Sequence, residues 1–288
     1  MPLDTPLKDI VVIYHAHCQD GFGSAFAAYR KFGNTASYLP CSDRVTPPFG
    51  LINKELYILD FSFSKPVLLD LELKNKKLVV IDHHISEKEA VTSIKNHVFD
   101  NEHSASFLSW QYFTDTPATT LIKMLEIIDL AKDKEHHHAD VITYILSKPF
   151  KFEDYEQLSK DLDNPKELAK IKELGKAQNN YLQVIISTLI ENPDFVIFEG
   201  YTIPCINIFL PINEKSIVLT ELYNKYPPFA MSYRFDDGFI KVSLRGNDAV
   251  NLMELARKYG GGGHKNSAGF VVPVEFPLPF AKIIKKNS

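Results

Sequence analysis

The chain has 288 residues, 45% of them hydrophobic, with a formal net charge of −4. That length suits about two domains with real cores, and the mild acidity argues against a protein that tracks long duplex nucleic acid along a basic face. Three widely spaced cysteines, Cys18, Cys41 and Cys205, imply no disulfide frame and a reducing cytoplasm, the opening MPLDTPLKDI lacks the features of a secretory signal, and no apolar run approaches the roughly 20 residues of a membrane span.

In chain order, DIVVIYHAH (9–17) predicts a strand and GSAFAAYRKFG (23–33) a helix closed by Gly33. LYILDFS (56–62) predicts a second apolar strand, KPVLLDLELKN (65–75) a short helix, and KLVVIDHH (77–84) a third strand. Alternation of helices with near-continuous apolar strands implies a parallel sheet covered on both faces. Helices are expected over 104–113 and 118–132, where Trp110 and Tyr112 pack in the core. The polar KDKEHHHAD follows, with His136, His137 and His138 on a solvated surface. A charge-studded helix over 165–191 bridges to a second unit that begins near 196 and is built of short strands. There DDG (236–238) marks a hairpin, AVNLMELARKYG (249–260) reads as an amphipathic helix, and GGGGHKNSAGFVVPV returns to a strand. The domains are expected at 1–160 and 196–288, with a helical linker over 161–195.

Three apolar strands end in potential metal ligands: His15, His17, Cys18 and Asp20 after the first, Asp60 after the second, and Asp82, His83 and His84 after the third. Ligands of open parallel sheets bind beyond the carboxyl ends of the strands. Carboxylates and imidazoles together suit manganese or a similar divalent ion. Crowded acids need cations to neutralise them, and two metals roughly 4 Å apart is a known arrangement for phosphate-ester hydrolysis. In the second unit, Gly260 to Gly263 free the backbone to fold tightly and present N–H groups to an anion. Arg245 suits a bidentate phosphate contact.

VVIDHH (79–84) resembles the signature of the DHH phosphoesterase superfamily, and GGGGHKNSAGF (260–270), with VSLRG (242–246) before it, resembles the hallmark of the DHH-associated C-terminal domain. The resemblance covers nearly the whole chain. It implies an α/β fold with an N-terminal parallel-sheet DHH domain, a helical linker and a smaller C-terminal α/β substrate-binding domain. It implies metal ligation by His15, Asp20, Asp60 as the bridging acid, His83 and Asp129. His84 then contacts or protonates the reacting phosphate, and Asp82 orients the histidine pair. Asp100 and Ser104 resemble the stretch after the signature, with Ser104 placing a helix N-terminus near the phosphate. Arg245, Gly261, Gly262, Gly263 and His264 are implied to grip the non-scissile end of a nucleotide. One departure stands out: the family's first motif carries Asp-x-Asp, and this chain has Cys18-Gln19-Asp20. A thiolate is a soft ligand and a poor match for manganese.

The activity implied is a cytoplasmic, manganese-dependent phosphodiesterase or phosphohydrolase, with one or two Mn2+ ions and Mg2+ or Co2+ as alternatives. Metal-activated water would cleave short oligonucleotides or small nucleotides such as a linear dinucleotide or phosphoadenosine phosphate. A polyphosphate or pyrophosphate hydrolase, and a nucleotide- or RNA-end-binding module weakened by Cys18, stay open, as does a homodimer. No membrane and no long-duplex partner is expected.

Overall fold

The computed structural model describes residues 6–42, 45–130, 132–133, 137–210, 212–277 and 280–283. It divides into two compact units, Met1–Asn179 and Asn180–Ser288, and the division falls inside one long helix.

The first unit runs β1 (Ile10–His15), α1 (Gln19–Phe32), β2 (Ala36–Cys41), β3 (Glu55–Leu59), α2 (Lys65–Lys74), β4 (Lys77–Asp82), α3 (Lys88–Val91), β5 (His97–Phe99), α4 (Ala105–Phe113), α5 (Thr120–Asp129), α6 (Ala139–Leu146), α7 (Phe152–Asp163) and α8 (Pro165–Glu191). Its five strands are all parallel, in the order β2-β1-β3-β4-β5. Successive side chains point to opposite faces, and both faces are covered. Val12, Tyr57, Leu59, Val79 and Ile81 pack with Phe26, Trp110, Leu125 and Tyr155. Val11, Ile13, Ile58 and Val80 pack on the other side with Leu68, Leu71 and Val91. This double burial is why these strands are almost continuously apolar. The order places β2 on one side of β1 and β3 on the other, so the carboxyl ends of β1 and β3 flank the point where the chain's direction of travel reverses.

The second unit takes the C-terminal part of α8, then β6 (Asp194–Phe198), β7 (Tyr201–Asn207), α9 (Ile212–Lys225), β8 (Phe229–Asp236), β9 (Phe239–Gly246), α10 (Leu252–Arg257), β10 (Gly262–His264), β11 (Ser267–Pro273) and β12 (Ala281–Ile283). The sheet order is β10-β11-β9-β8-β7-β6-β12, with β7 and β8 its one parallel pair among the described residues. α9 makes the crossover that a parallel pair needs. Val218, Leu219 and Leu222 of α9 pack with Ile186 of α8 and Ala230 of β8. Leu252 and Ala256 of α10 pack on the other core with Val242, Leu244 and Phe270. Asp237-Gly238 (φ 48° and 78°) forms the β8–β9 hairpin, with both φ values positive as the primed turns require.

Several boundaries differ from the sequence reading. The helix expected over 249–260 covers only Leu252–Arg257, because Asn247 Oδ1 accepts the Ala249 N–H in a turn before it and Gly260 (φ 76°) breaks the backbone after it. The helix expected over 118–132 spans Thr120–Asp129. Trp110 is buried, with Nε1 donating to the Thr116 carbonyl at 3.0 Å. Tyr112 is not a core residue: it is 38% exposed, with its ring edge-on to Tyr57 and Phe113 at the rim. His137 is exposed, His138 pairs with Asp133 at 3.2 Å, and His136 lies outside the described residues. No helix among the described residues is long and apolar enough to cross a membrane.

The seat of α1 on β1 depends on Gly21. A Cβ there would lie 2.2 Å from the His15 carbonyl oxygen and 2.9 Å from its Cβ. Gly21→Ala is expected to destabilise the protein by about 1–3 kcal/mol through overpacking, read as a lower thermal midpoint. An unchanged midpoint would mean that α1 does not need this approach.

Candidate metal centre

His15 is the last residue of β1, Asp60 follows β3, and Asp82 ends β4, so three adjacent strands deliver their chemistry to one edge. Two residues of this edge hold left-handed backbone that side chains rarely adopt: His17 (φ 58°) and Asp60 (φ 65°). Such strain persists where the surroundings over-determine it. At Asp60 the backbone N–H donates to the Ile81 carbonyl at 2.9 Å, which ties the turn after β3 to β4.

Asp20 sits in the first turn of α1 and is 1% exposed. Its carboxylate accepts the N–H groups of Ala105 (2.8 Å) and Ser106 (3.0 Å) at the start of α4. Those amides are the unpaired donors of a helix N-terminus, and here a protein carboxylate takes them. Ser104, expected to place a helix N-terminus near the phosphate, is fully buried. Its Oγ accepts the Phe107 N–H at 3.4 Å as the cap of α4 and lies 2.9 Å from Ser106 Oγ. Its work is to start the helix that holds Asp20. Asp100 accepts the Glu102 N–H at 2.9 Å, a local turn contact.

Asp82 is fully buried, and its Oδ1 accepts the N–H groups of His83 (2.8 Å) and His84 (3.2 Å) and lies 2.7 Å from His84 Nδ1. An oxygen already accepting two amides acts as acceptor for the third, so Nδ1 carries the proton and the ring is held in one orientation. His83 Nε2 faces three acids: Asp60 Oδ1 at 3.5 Å, Asp129 Oδ2 at 3.5 Å and Asp20 Oδ2 at 3.9 Å. Asp129 reaches this centre as the last residue of α5. His15 Nδ1 lies 3.3 Å from Asp60 Oδ2. One donor atom from each residue falls within 4.8 Å of the others in three overlapping groups: Asp60, Asp82, His83 and His84; His15, Cys18 and Asp60; and Asp20, His83 and Asp129. His17 is exposed and stands outside all three.

The electrostatics are those of an acid cluster out of water. Burial drives the Asp20 carboxyl well above its usual range, and the Asp129 and Asp60 charges add to it. Burial lifts Asp129 to about 6, with Asp60 again contributing. Burial also opposes ionisation of Asp60, but the facing His15 and His83 rings outweigh it and hold that carboxyl low. Burial pulls His83 down, while Asp60, Asp129 and Asp20 together raise it to about 9. The Cys18 thiol is pushed well up by burial and then by Asp60, Asp20 and Asp129, against the Gly21 amide. Asp60 Oδ1 and His83 Nε2 are buried atoms with no hydrogen-bond partner, although they face each other. Buried polar atoms almost always have partners. Two orphaned ligand atoms amid carboxylates and imidazoles fit a divalent cation.

In the second unit, His264, Ser267 and Arg245 are successive register partners across β10, β11 and β9, and therefore stand in one row on one face of the sheet. Gly263 (φ 136°) has no room for a side chain, since a Cβ would lie 2.4 Å from the Ser267 carbonyl oxygen. Gly261 is equally confined by Gly269 and Phe270, whereas Gly262 opens on free space. Two of these glycines thus serve strand pairing. Arg245 donates to Ser216 Oγ at 2.7 Å and Lys215 to Ser243 Oγ at 2.8 Å. Burial, Arg234 and Arg245 all lower the Lys215 pKa, which marks three cations drawn together. The sequence reading did not single out Lys215 and Ser216, because α9 carried no motif. The SAS run at 104–106 was the signal for the α4 start that grips Asp20.

Residues 213–285 match the DHHA1 domain family. Over 95% of its length the chain is 27% identical to an uncharacterized protein of Acanthamoeba polyphaga mimivirus, covering 70% of that protein. A solved structure described as the DHH domain of a member of a ribosomal-protein family superposes with a TM-score of 0.59 at 14% identity, covering 91% of this chain and 82% of that one. A pGpG-specific phosphodiesterase from Vibrio cholerae superposes with a TM-score of 0.50 at 13% identity, covering 93% of this chain and 94% of that one.

Asp129 gives a test of the acid cluster itself. A carboxyl whose folded pKa is raised weakens the fold at neutral pH, and that penalty is relieved as pH falls from about 6 toward the unfolded-state value. Its side chain is 24% exposed, so solvent screens part of the effect. With chelator present at neutral pH, Asp129→Asn is expected to stabilise the protein by about 1 kcal/mol, read as a higher thermal midpoint. A lower midpoint would mean that Asp129 has a stabilising partner rather than repelling neighbours.

Proposed function

We propose that this chain, a DHH-superfamily protein by its fold and its DHHA1 domain, is a metal-dependent phosphoesterase acting on short oligonucleotides or small nucleotides. The observation that carries the reading is the ring of carboxylates around His83 Nε2, the buried Asp20 and Asp60 with Asp129 at the solvent edge. His15, Asp20, Asp60, His83 and Asp129 are the ligands in this reading. The oxygen-rich group of Asp20, Asp129 and His83 favours manganese by donor type. A divalent cation held there supplies Lewis-acid activation of water and of a phosphoryl oxygen.

The protein's own part is orientation and charge. Burial opposes charge on His84, but Asp82 at Nδ1 outweighs it and favours the protonated ring, so Nε2–H is the donor left to meet the reacting phosphate as negative charge develops on it. Asp20 is fixed by two α4 amides and cannot swing away from the centre. In the second unit, Arg245 and His264 share a face, with Lys215 held nearby through Ser243 on the same strand as Arg245, and grip the non-scissile phosphate. Gly261, Gly262 and Gly263 hold the strand that carries His264, and only Gly262 has open space beside it. The reading places the protein in the cytoplasm, in keeping with three cysteines none of which forms a disulfide. A linear dinucleotide is the first substrate to test, since one protein of similar fold is a pGpG-specific phosphodiesterase.

With Mn2+, the protein is expected to hydrolyse a linear dinucleotide. Asp60→Ala and His83→Ala should each lose about 10³-fold or more in kcat, on the order of 4 kcal/mol of transition-state stabilisation. Asp82→Asn should lose about 10–100-fold by releasing the His83–His84 pair. Arg245→Ala should raise KM about 10–100-fold with a smaller change in kcat. Product analysis by chromatography reads all four. No turnover of dinucleotides, short RNAs, phosphoadenosine phosphate or polyphosphate with Mn2+, Mg2+ or Co2+ would overturn the reading.

A further inference from the structure

We propose that His15, Cys18 and Asp60 form a metal subsite of their own, with the Cys18 thiolate as a ligand, and that it takes a borderline-soft ion of the zinc and cobalt class rather than manganese. The inference rests on the metal-centre reading above and deepens it: the two halves of the centre are chemically unequal.

The geometry is that of a ligand set. One donor atom each from His15, Cys18 and Asp60 lies within 4.8 Å of the other two. Zinc binds thiolate sulfur at about 2.3 Å and imidazole nitrogen or carboxylate oxygen at about 2.0–2.2 Å, so tetrahedral ligands of one ion stand about 3.5 Å apart, and His15 Nδ1 and Asp60 Oδ2 already stand 3.3 Å apart. A side-chain adjustment of about 1 Å therefore closes the group on an ion. Its shared member is independent evidence of a ligand. Asp60 is 1% exposed, its Oδ2 lies 3.3 Å from His15 Nδ1, and its Oδ1, which has no hydrogen-bond partner, faces His83 at 3.5 Å, so one buried carboxylate serves both this group and the one that contains Asp82, His83 and His84. Cys18 occupies the N-cap of α1, where Ser, Thr, Asp or Asn would be the helix-starting choice. A thiol is a weaker cap than an oxygen, and this one stands within 4.8 Å of an imidazole nitrogen and a carboxylate oxygen.

Donor chemistry then separates the two groups. Asp20, Asp129 and His83 offer two carboxylates and one imidazole, a set suited to manganese. His15, Cys18 and Asp60 offer nitrogen, sulfur and oxygen, and thiolate selects for zinc-like ions over manganese. Cys41 is the natural control: it is buried opposite His15 in the β1–β2 register, yet it belongs to no donor group among the described residues.

The test is a cobalt titration of the metal-free full chain, followed by absorption. A thiolate-to-cobalt charge-transfer band in the near ultraviolet is expected in the wild type. It should be absent in Cys18→Ser and retained in Cys41→Ser and Asp129→Asn. Zn2+ should abolish the band by displacement at concentrations where Mn2+ leaves it intact. In Cys18→Asp the preference for Mn2+ over Zn2+ should rise about tenfold or more, because the soft donor has become a hard one. Equilibrium dialysis separates the two levels of the claim. Cobalt bound without a thiolate band in the wild type would overturn Cys18 ligation and leave the metal centre standing. A band lost in Cys41→Ser and kept in Cys18→Ser would overturn it too. No binding of cobalt, zinc or manganese would overturn the metal centre as well. The wild-type spectrum decides the point even if a variant fails to fold.

Discussion

Three carboxylates meeting one imidazole, two of them out of water and Asp129 at the solvent edge, is the constraint on which the first unit turns. Asp20 and Asp60 are each 1% exposed, and with Asp129 they surround His83 Nε2 at 3.5–3.9 Å. Such a cluster is costly, because desolvation and like charge both oppose ionisation. The protein meets part of that cost itself. Two α4 amides donate to Asp20, two backbone N–H groups and a ring nitrogen satisfy Oδ1 of Asp82, and His15 faces Asp60. What remains at this edge is three orphaned atoms, Asp60 Oδ1, Asp82 Oδ2 and His83 Nε2, and a cation is the species that fits between the facing pair of Asp60 and His83.

The fold explains why the cluster can exist at all. A parallel sheet covered on both faces fixes β1, β3 and β4 to one register, so their carboxyl ends cannot drift apart. The left-handed turn at Asp60 and the tight seat of Gly21 on His15 are local costs that this rigid frame absorbs. Residues after the strands are thereby freed from core packing and available for chemistry, the usual division in open α/β sheets. The second unit follows the same logic with a different chemistry. Its sheet buries Val242 and Leu244 on one face and lines up Arg245, Ser267 and His264 on the other.

Much of this was legible in the sequence, and the reason is physical. A buried strand that ends at once in Asp82, His83 and His84 has no packing explanation, and Asp60 and His15 repeat the anomaly at the neighbouring strands. The hairpin at Asp237-Gly238 and the helix over 165–191 were also plain from turn chemistry and periodicity. Edges were harder. β2 carries Pro40 and half-buried residues because it lies at the sheet margin, and β5 has three residues, too few for a period to show. α7 hides its core stripe of Tyr155, Leu158 and Leu162 among acidic residues. Ser104 was legible as a helix start, but nothing local says that the carboxylate on the α4 amides is Asp20, 85 positions before Ala105 in the chain. Long-range pairing of that kind belongs to the tertiary fold.

The most direct measurement of the central claim is anomalous diffraction from crystals grown with Mn2+, collected on both sides of the manganese absorption edge. The account requires a peak of anomalous density within bonding distance of Asp60 and His83, flanked by Asp20 and Asp129. Fully ordered side chains with no such peak at millimolar Mn2+ would contradict it.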